Sequence, residues 1–142
     1  MKIYLAGPLF TRAELDFNNE IAWQLRLRHH EVFLPQEHEQ KPPDATARSI
    51  FNCDRGGVMW ADIVVANMDG SDPDSGTCWE CGFANAKNKP VILYRTDIRR
   101  EEDFGPFNLM LHQSADASLD CRGMGTARIG VELCNAITRI MP

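Results

Sequence analysis

The sequence predicts an α/β fold in which a five-stranded, mainly parallel β-sheet carries helices on both faces, with the strand order 2-1-3-4-5. Two observations predict it. Short apolar runs alternate with segments of helical character along the 142 residues, and strand-helix-strand alternation gives parallel strands. The run at residues 63–66 is continuously apolar, as in strands that are covered on both faces. At this length we expect one domain over residues 1–142.

The first three elements follow from turn residues and apolar spacing. Residues 2–6 form the predicted first strand, which ends at a Gly-Pro pair. The helix predicted over residues 11–29 places Ile21 and Leu25 on one face. Residues 31–34 form the second strand, which a proline closes. The chain therefore begins with a strand-helix-strand unit.

The middle of the chain repeats this pattern. A polar segment at residues 36–43 is predicted to be a loop, and a helix follows over residues 44–60, weakened by a Gly-Gly pair. Residues 62–67 form the third strand, and residues 75–88 form the next helix. The residues between these two elements are rich in Asp, Gly and Pro, which is typical of a loop.

The last part of the chain is less regular. Residues 90–94 form the fourth strand, and residues 115–120 form a weaker fifth strand. The segment 96–114 has no clear period and is predicted to be a loop, of a length that tends to be functional. Residues 126–141 form an amphipathic helix with isoleucine and leucine side chains on one side.

This topology predicts where the site lies. The strand order reverses between the first and third strands, and α/β proteins bind ligands at such a reversal, at the carboxyl edge of the sheet. The loops that follow Ala6 and Met68 should therefore meet there. We expect residues 4–10 to face residues 69–80 across one crevice.

Carboxylates dominate the chemistry available at that crevice. Glu80 lies near the start of a helix, where the helix dipole and free amides favour the ionised form that a nucleophile at a sugar carbon needs. Asp74 lies six residues earlier in the loop, and Asp54 lies late in the preceding helix. Tyr4, in the first strand, is a candidate to orient Glu80 through its hydroxyl. Paired carboxylates without metal-binding histidines suggest chemistry at a glycosidic bond.

Each of these residues also has a purely structural interpretation. Thr77 and Glu80 match a helix capping box. Asp74 is equally suited to a helix cap or a turn, and Asp54 to a solvated helix face. Tyr4 is suited to the core, with its hydroxyl satisfied there. The residues alone leave both interpretations open.

Composition and charge exclude several classes of function. The net charge is −5 without a stripe of Lys or Arg, which argues against a nucleic acid polymer or an anionic membrane as partner. No segment is long enough to span a bilayer. The odd number of cysteines, five, in a chain with an ample core indicates reduced thiols and a cytoplasmic protein.

Motifs for metals and cofactors are weak. Cys78 and Cys81 have CxxC spacing, but not the position in the chain that a thioredoxin-type motif occupies. The four histidines form no metal-binding pattern, and the sequence contains no GxGxxG or P-loop motif. We therefore expect neither a metal nor a cofactor.

Three segments, taken together and in this order, resemble one known family. They are IYLAGPLF at residues 3–10, DSGTCWECGFA at residues 74–84 and PFNLM at residues 106–110. The combination is similar to the nucleoside 2-deoxyribosyltransferase family, over residues 2–111. The resemblance implies a flavodoxin-like, three-layer αβα fold and exchange of bases on 2'-deoxyribonucleosides. It makes 2'-deoxyribonucleosides and free nucleobases the expected partners.

The resemblance also implies catalytic roles. Glu80 falls at the position of the family's nucleophile, and Tyr4 at that of the tyrosine that steadies it. Asp74 matches a carboxylate that lines the sugar and base site, and Asp54 matches an aspartate that meets the nucleobase. Asp54 is the first choice for the acid that protonates the leaving base, and Asp74 the second. The implied reaction passes through a deoxyribosyl-Glu80 intermediate, with net retention.

The expected substrate-binding residues come from all three segments: Gly7, Pro8, Phe10, Gly76, Asn108 and Met110. Phe10 matches an aromatic residue that stacks on the base. Asn108 matches an asparagine that reaches the sugar hydroxyls, with Met110 beside it. In relatives the last two come from a neighbouring subunit, within dimers to hexamers. The resemblance therefore implies a homo-oligomer in which Asn108 and Met110 complete a neighbour's site.

Two alternative functions stay open at this point. A 2'-deoxynucleoside 5'-monophosphate N-hydrolase has the same fold and tends to carry a serine where Asp74 stands. A carboxylate there repels a phosphate, which favours a free 5'-hydroxyl, although Ser75 is adjacent. A non-catalytic nucleoside- or nucleotide-sensing module would use the same crevice, but it would not need an ionised Glu80.

Overall fold

The computed structural model describes residues 1–38, 45–97 and 106–141, and it confirms the predicted sheet. The strands are β1 (Lys2–Ala6), β2 (Glu31–Phe33), β3 (Ile63–Asn67), β4 (Val91–Arg95) and β5 (Ala117–Asp120). The helices are α1 (Arg12–Arg26), α2 (Pro35–His38), α3 (Ala47–Trp60), α4 (Ser75–Ala86), α5 (Leu109–Ser114) and α6 (Thr126–Ile140). The strands pair in the order β2-β1-β3-β4-β5, and all four pairings are parallel.

The core has two layers because successive side chains of a strand point to opposite faces of the sheet. Ile3 and Leu5 of β1 pack in the layer that contains α1 and α6. Tyr4 packs in the other layer, with Val58 of α3 and Ala84 of α4. The register of β1 thus turns the Tyr4 side chain toward α4, the helix that carries the candidate residue Glu80.

Capping side chains fix where α1 and α3 begin. The Thr11 side chain accepts a hydrogen bond from the Glu14 amide, and the Glu14 carboxylate accepts one from the Thr11 amide at 2.7 Å. Thr46 and Ser49 form the corresponding pair at α3. That helix therefore begins one residue after Thr46, and the predicted start at Asp44 lies outside the described residues.

Helix ends differ more from prediction than strand ends, which agree within two residues. The predicted ends at residues 29 and 88 are too late, because α1 and α4 end at residues 26 and 86. His29 and Asn88 follow with φ angles of 64° and 55°, a left-handed conformation that helices do not continue through.

Two segments predicted to be loops contain short helices. Within residues 36–43, the first three belong to α2, and residues 39–43 lie outside the described residues. Within residues 96–114, α5 takes the last six, and residues 98–105 lie outside the described residues. Helices of four and six residues are too short to leave a periodic pattern in a sequence.

The Gly-Gly pair that was expected to weaken α3 serves a packing contact. A Cβ atom on Gly57 would lie 2.7 Å from the ring of Phe33 in β2. That ring stacks on Tyr4, with centroids 5.4 Å apart. The glycine lets α3 approach β2 closely enough for Phe33 to hold the Tyr4 ring in place.

Tyr94 of β4 offers a test of the core. It is fully buried, and no described residue forms a hydrogen bond with its hydroxyl. A buried polar group without a partner destabilises a protein by about 1–3 kcal/mol. We expect Tyr94→Phe to raise the free energy of unfolding by about 1 kcal/mol in urea denaturation. A decrease of that size would show that the hydroxyl has a stabilising partner.

Candidate active site

The loop after β3 ends in one of the two helix caps that the sequence left open. Asp74 is the N-cap of α4, and its carboxylate accepts hydrogen bonds from the Thr77 amide at 2.9 Å and the Thr77 hydroxyl at 3.2 Å. The structural interpretation of Asp74 as a cap is therefore confirmed, and that of Thr77 and Glu80 as a capping box is not. The helix begins at Ser75, which places Glu80 in its second turn, so the Glu80 carboxylate does not cap its own helix.

Glu80 instead contacts the sheet. The Tyr4 hydroxyl donates a hydrogen bond to Oε1 of Glu80 at 2.5 Å, between residues 76 positions apart in the chain. Tyr4 has no exposed surface. Burial raises the pKa of Tyr4 far above its usual value, and the negative charge of Glu80 raises it further. The hydroxyl is therefore protonated at neutral pH and can donate this hydrogen bond.

The environment of Glu80 tunes its ionisation. The pKa of Glu80 is raised from 4.5 to about 7, because burial and the charges of Asp54 and Asp74 raise it by more than the hydrogen bond from Tyr4 lowers it. The sequence predicts a carboxylate kept ionised by helix amides. The structure differs, because burial dominates and the hydrogen bond that Glu80 accepts within the described part of the chain comes from Tyr4 in β1. The group changes charge near neutral pH, as a catalytic carboxyl does.

A cavity of about 210 Å³ lies above this pair, at the carboxyl ends of β1 and β3. Most of the predicted site residues line it, namely Gly7, Phe10, Asp54, Asp74, Gly76 and Glu80. Phe10 is 76% exposed at its rim. Three carboxylates from two helix segments and a loop thus surround one small space, with the Tyr4 hydroxyl bonded to the innermost of them.

Three predicted residues lie elsewhere. Pro8 lines a neighbouring cavity on the α1 side, and its carbonyl accepts a hydrogen bond from the buried Asn18 amide at 2.9 Å. Asn108 and Met110 are not among the residues that line the cavity. The Asn108 side chain is the N-cap of α5, and the Met110 side chain is 76% exposed.

The cavity also includes residues that the sequence did not identify as binding residues: Leu9, Pro35, Ile50 and Thr77. Leu9 lies between two predicted residues, so the loop pattern contained a signal for it. Pro35 reaches the cavity only because β2 lies beside β1, and nothing local in the sequence indicates that. Gly76 is packed against the cap, since a Cβ there would lie 3.0 Å from Oδ2 of Asp74.

A larger cavity, about 570 Å³, runs along the edge strand β2. Its lining includes Phe33, His38 and Trp60, but none of the three carboxylates described above. The chemistry therefore favours the smaller cavity. Among the described residues no cluster of three or more possible metal ligands is present, and no helix is long and apolar enough to cross a bilayer. The five cysteines form no disulfide.

Fold and pocket together define the class of protein. It is a flavodoxin-like α/β protein whose sheet edge carries a pocket with three carboxylates and a tyrosine-bound glutamate. The sequence model of the nucleoside 2-deoxyribosyltransferase family matches residues 3–110, well over half of the chain. The chain belongs to this family.

Solved structures agree with this assignment. The chain is 28% identical to a 2-deoxyribosyltransferase from Bacillus psychrosaccharolyticus, with a TM-score of 0.74 over 92% of this chain and 90% of that one. It is also 28% identical to a 2-deoxyribosyltransferase from Leishmania mexicana, with a TM-score of 0.65 over 82% and 88%. A CMP N-glycosidase from Clostridium botulinum, 18% identical with a TM-score of 0.63 over 94% and 99%, shares the fold. Comparison with curated proteins gave no match.

The raised pKa of Glu80 can be tested by stability measurements on Glu80→Gln, with no activity assay. The pKa of Glu80 is 4.5 in the unfolded chain and about 7 in the folded protein. The stability linked to Glu80 is therefore fully present below pH 4.5 and is lost as the pH rises through 7, by up to about 3 kcal/mol. We expect the stability of Glu80→Gln relative to wild type to increase over that interval in urea titrations. The same difference at pH 5 and pH 8 would contradict the raised pKa.

Proposed function

We propose that this protein transfers 2-deoxyribose between nucleobases, with Glu80 as the nucleophile. The observation that carries the proposal is the 2.5 Å hydrogen bond from Tyr4 to Glu80 beneath the pocket. The bond engages Oε1, which leaves Oε2 as the oxygen that attacks C1' of the sugar. A positioned carboxylate that ionises near neutral pH suits nucleophilic attack at a glycosidic carbon.

The proposed reaction has two displacements at C1'. In the first, the Glu80–C1' bond forms while the bond from C1' to the base breaks, through an oxocarbenium-like transition state, and the base leaves with a proton from an acid. In the second, a nitrogen of the incoming base attacks C1', Glu80 leaves as a carboxylate, and the acid regains a proton from the incoming base. Two inversions give net retention.

The surroundings of the two aspartates assign their parts in this proposal. Asp74 already accepts two hydrogen bonds from Thr77 through Oδ2, which leaves Oδ1 as an acceptor for a sugar hydroxyl. Asp54 lies close enough to the catalytic pair for its charge to raise the pKa of both Tyr4 and Glu80. Asp54 is the proposed acid because the Asp74 carboxylate is engaged in the helix cap.

The rest of the pocket supports a nucleoside with a free 5'-hydroxyl. Phe10, exposed at the rim, offers a face on which a base can stack. Asp74 and its neighbouring carboxylates repel a 5'-phosphate, which argues against hydrolysis of 2'-deoxynucleoside 5'-monophosphates. Base exchange of this kind would serve the salvage of deoxyribonucleosides.

We further propose that a second copy of the chain completes the pocket, in a homo-oligomer between a dimer and a hexamer. Met110 is 76% exposed and Leu109 is 42% exposed, beside each other at the start of α5. Apolar side chains exposed next to a polar cap suit insertion into another protomer. There Asn108 would contact the sugar and Met110 would exclude water, which protects the intermediate from hydrolysis.

One assay separates the possible functions. Incubation of the protein with deoxyinosine and free adenine should give deoxyadenosine and hypoxanthine in equal amounts. Hypoxanthine without deoxyadenosine would indicate a hydrolase and would contradict transfer. Saturable binding of deoxyinosine without turnover would indicate a sensing module. Turnover of deoxyinosine 5'-monophosphate in preference to deoxyinosine would contradict the proposed free 5'-hydroxyl.

Glu80→Gln should lower the rate of base exchange by at least about a thousandfold, because a neutral amide cannot replace the carboxylate as the nucleophile at C1'. Its neutral amide can still accept the Tyr4 hydroxyl, so the fold should be retained. Mass spectrometry of the wild type, quenched during turnover with deoxyinosine, should find a deoxyribosyl group on Glu80. Exchange at wild-type rates in Glu80→Gln would remove Glu80 as the nucleophile.

Tyr4→Phe should shift the pH dependence of exchange upward. The hydrogen bond from Tyr4 lowers the pKa of Glu80, so its loss raises that pKa and reduces the ionised fraction at pH 7. The rising limb of kcat/KM against pH should move up by roughly one pH unit, and part of the lost activity should return above that pH. Tyr94→Phe, an equally buried change in the other core layer, is the matched control and should leave the profile in place. An unshifted profile in Tyr4→Phe would contradict the proposed coupling.

Asp54→Asn should slow only reactions whose leaving base needs a proton. Exchange from deoxyinosine should fall by about 10²–10⁴-fold, the usual contribution of a general acid. A deoxyguanosine methylated at N7 carries a positive charge on its base, which leaves without protonation, so Asp54→Asn should use it at close to the wild-type rate. Asp74→Asn is the comparison and should slow both donors equally. The opposite pattern would make Asp74 the acid.

A further inference from the structure

A buried arginine lies behind the site at the end of β4. Arg95 is 4% exposed, although it carries a permanent positive charge. Arginine is rarely buried unless its guanidinium is paired, because removing it from water has a large free energy cost. The contacts of Arg95 therefore show which segments of the chain its buried charge stabilises.

One side of the guanidinium contacts the loop that follows β3. Nε and Nη2 of Arg95 donate to the carbonyl oxygen of Met68 at 3.3 and 3.1 Å. Nε also lies 3.3 Å from Oδ1 of Asp97, whose Oδ2 accepts a hydrogen bond from the Gly70 amide at 2.8 Å. The loop that begins at Met68 and ends at the Asp74 cap is thus tied to β4 through charged groups.

The other side contacts the segment before α5. Nη1 donates to the carbonyl oxygen of Pro106, and the guanidinium lies 5.5 Å from the centroid of the Phe107 ring. Phe107 is itself buried, 3% exposed, in the core layer beside α4. The next residue is Asn108, which caps α5 and accepts hydrogen bonds from the amides of Met110 and Leu111 at 3.0 and 3.4 Å.

We propose that Arg95 is a positioning residue whose guanidinium links the loop carrying Asp74 to the turn carrying Asn108 and holds the two in a fixed relation, while Asp69 ties the same loop to Thr96 and Asp97. The proposal rests on the proposed function for the role of Asn108. A planar group with donors on two sides can reach the carbonyl oxygens of Met68 and Pro106 together. An ammonium group in its place would reach one of them, which makes arginine specific here.

Arg95→Lys tests the proposal with the charge retained. Hydrogen exchange followed by NMR should show about a tenfold faster exchange at Gly70 and at Met110 and Leu111, the change expected when a charge-assisted hydrogen bond is lost. Arg26→Lys is the matched control. The Arg26 fork binds Glu37 and the carbonyl of Val32, away from both segments, so exchange at the same amides should not change. Unchanged exchange at either segment in Arg95→Lys would overturn the proposal.

A kinetic cycle separates positioning from a general loss of stability. If Arg95 positions Asn108 as well as the Asp74 loop, Arg95→Lys and Asn108→Ala should each raise KM for deoxyinosine several-fold, and the increase in the double variant should be smaller than the product of the two. Effects that multiply in the double variant would overturn the proposal. If the wild type does not transfer deoxyribose between bases, the proposed function fails. The hydrogen-exchange rates at Gly70, Met110 and Leu111 still decide whether Arg95 holds the two segments.

Discussion

The geometry of the pocket depends on one hydrogen bond, from the Tyr4 hydroxyl to the Glu80 carboxylate, and the proposed chemistry depends on it too. A carboxylate removed from water is destabilised as an anion, and burial alone would keep Glu80 protonated. The Tyr4 hydroxyl acts in the opposite direction because it stabilises the charged form. The balance leaves the pKa of Glu80 at about 7, a value that suits the proposed role, in which the carboxylate attacks a sugar carbon and later leaves it.

That bond constrains the structure around it. Tyr4 must point to the α4 side of the sheet, and the Phe33 ring, stacked 5.4 Å away, fixes its orientation. Phe33 is in turn confined by Gly57 on α3, and His38 stacks on its outer side with centroids 4.2 Å apart. Substitutions at positions without any contact to the pocket can therefore reach Glu80 through a short chain of packed rings.

The family assignment leaves the fate of the proposed intermediate as the functional question. A deoxyribosyl ester of Glu80 reacts with water or with a base, and the same attacking carboxylate serves both outcomes. The fold includes deoxyribosyltransferases and a CMP N-glycosidase among its solved members. We therefore expect transfer and hydrolysis to differ in what else enters the pocket, a base or water. In our proposal three features of this chain favour a base over water as the acceptor. They are the acidic pocket, the exposed rim at Phe10 and the exposed Met110.

The sequence by itself determined the strand order and the identity of Tyr4, Asp54, Asp74 and Glu80 as candidates, because apolar runs and turn residues are local signals and the order of strands then follows from handedness. It did not determine the helix cap, since Thr77 and Glu80 fit a capping box as well as Asp74 fits an N-cap. Which of them caps the helix depends on the neighbours that each side chain meets in space. It also could not find α5, Pro35 as a pocket residue, or the bridge made by Arg95. Those features, like the Tyr4–Glu80 bond across 76 positions, arise from groups that are distant in the chain and become neighbours only when the sheet assembles.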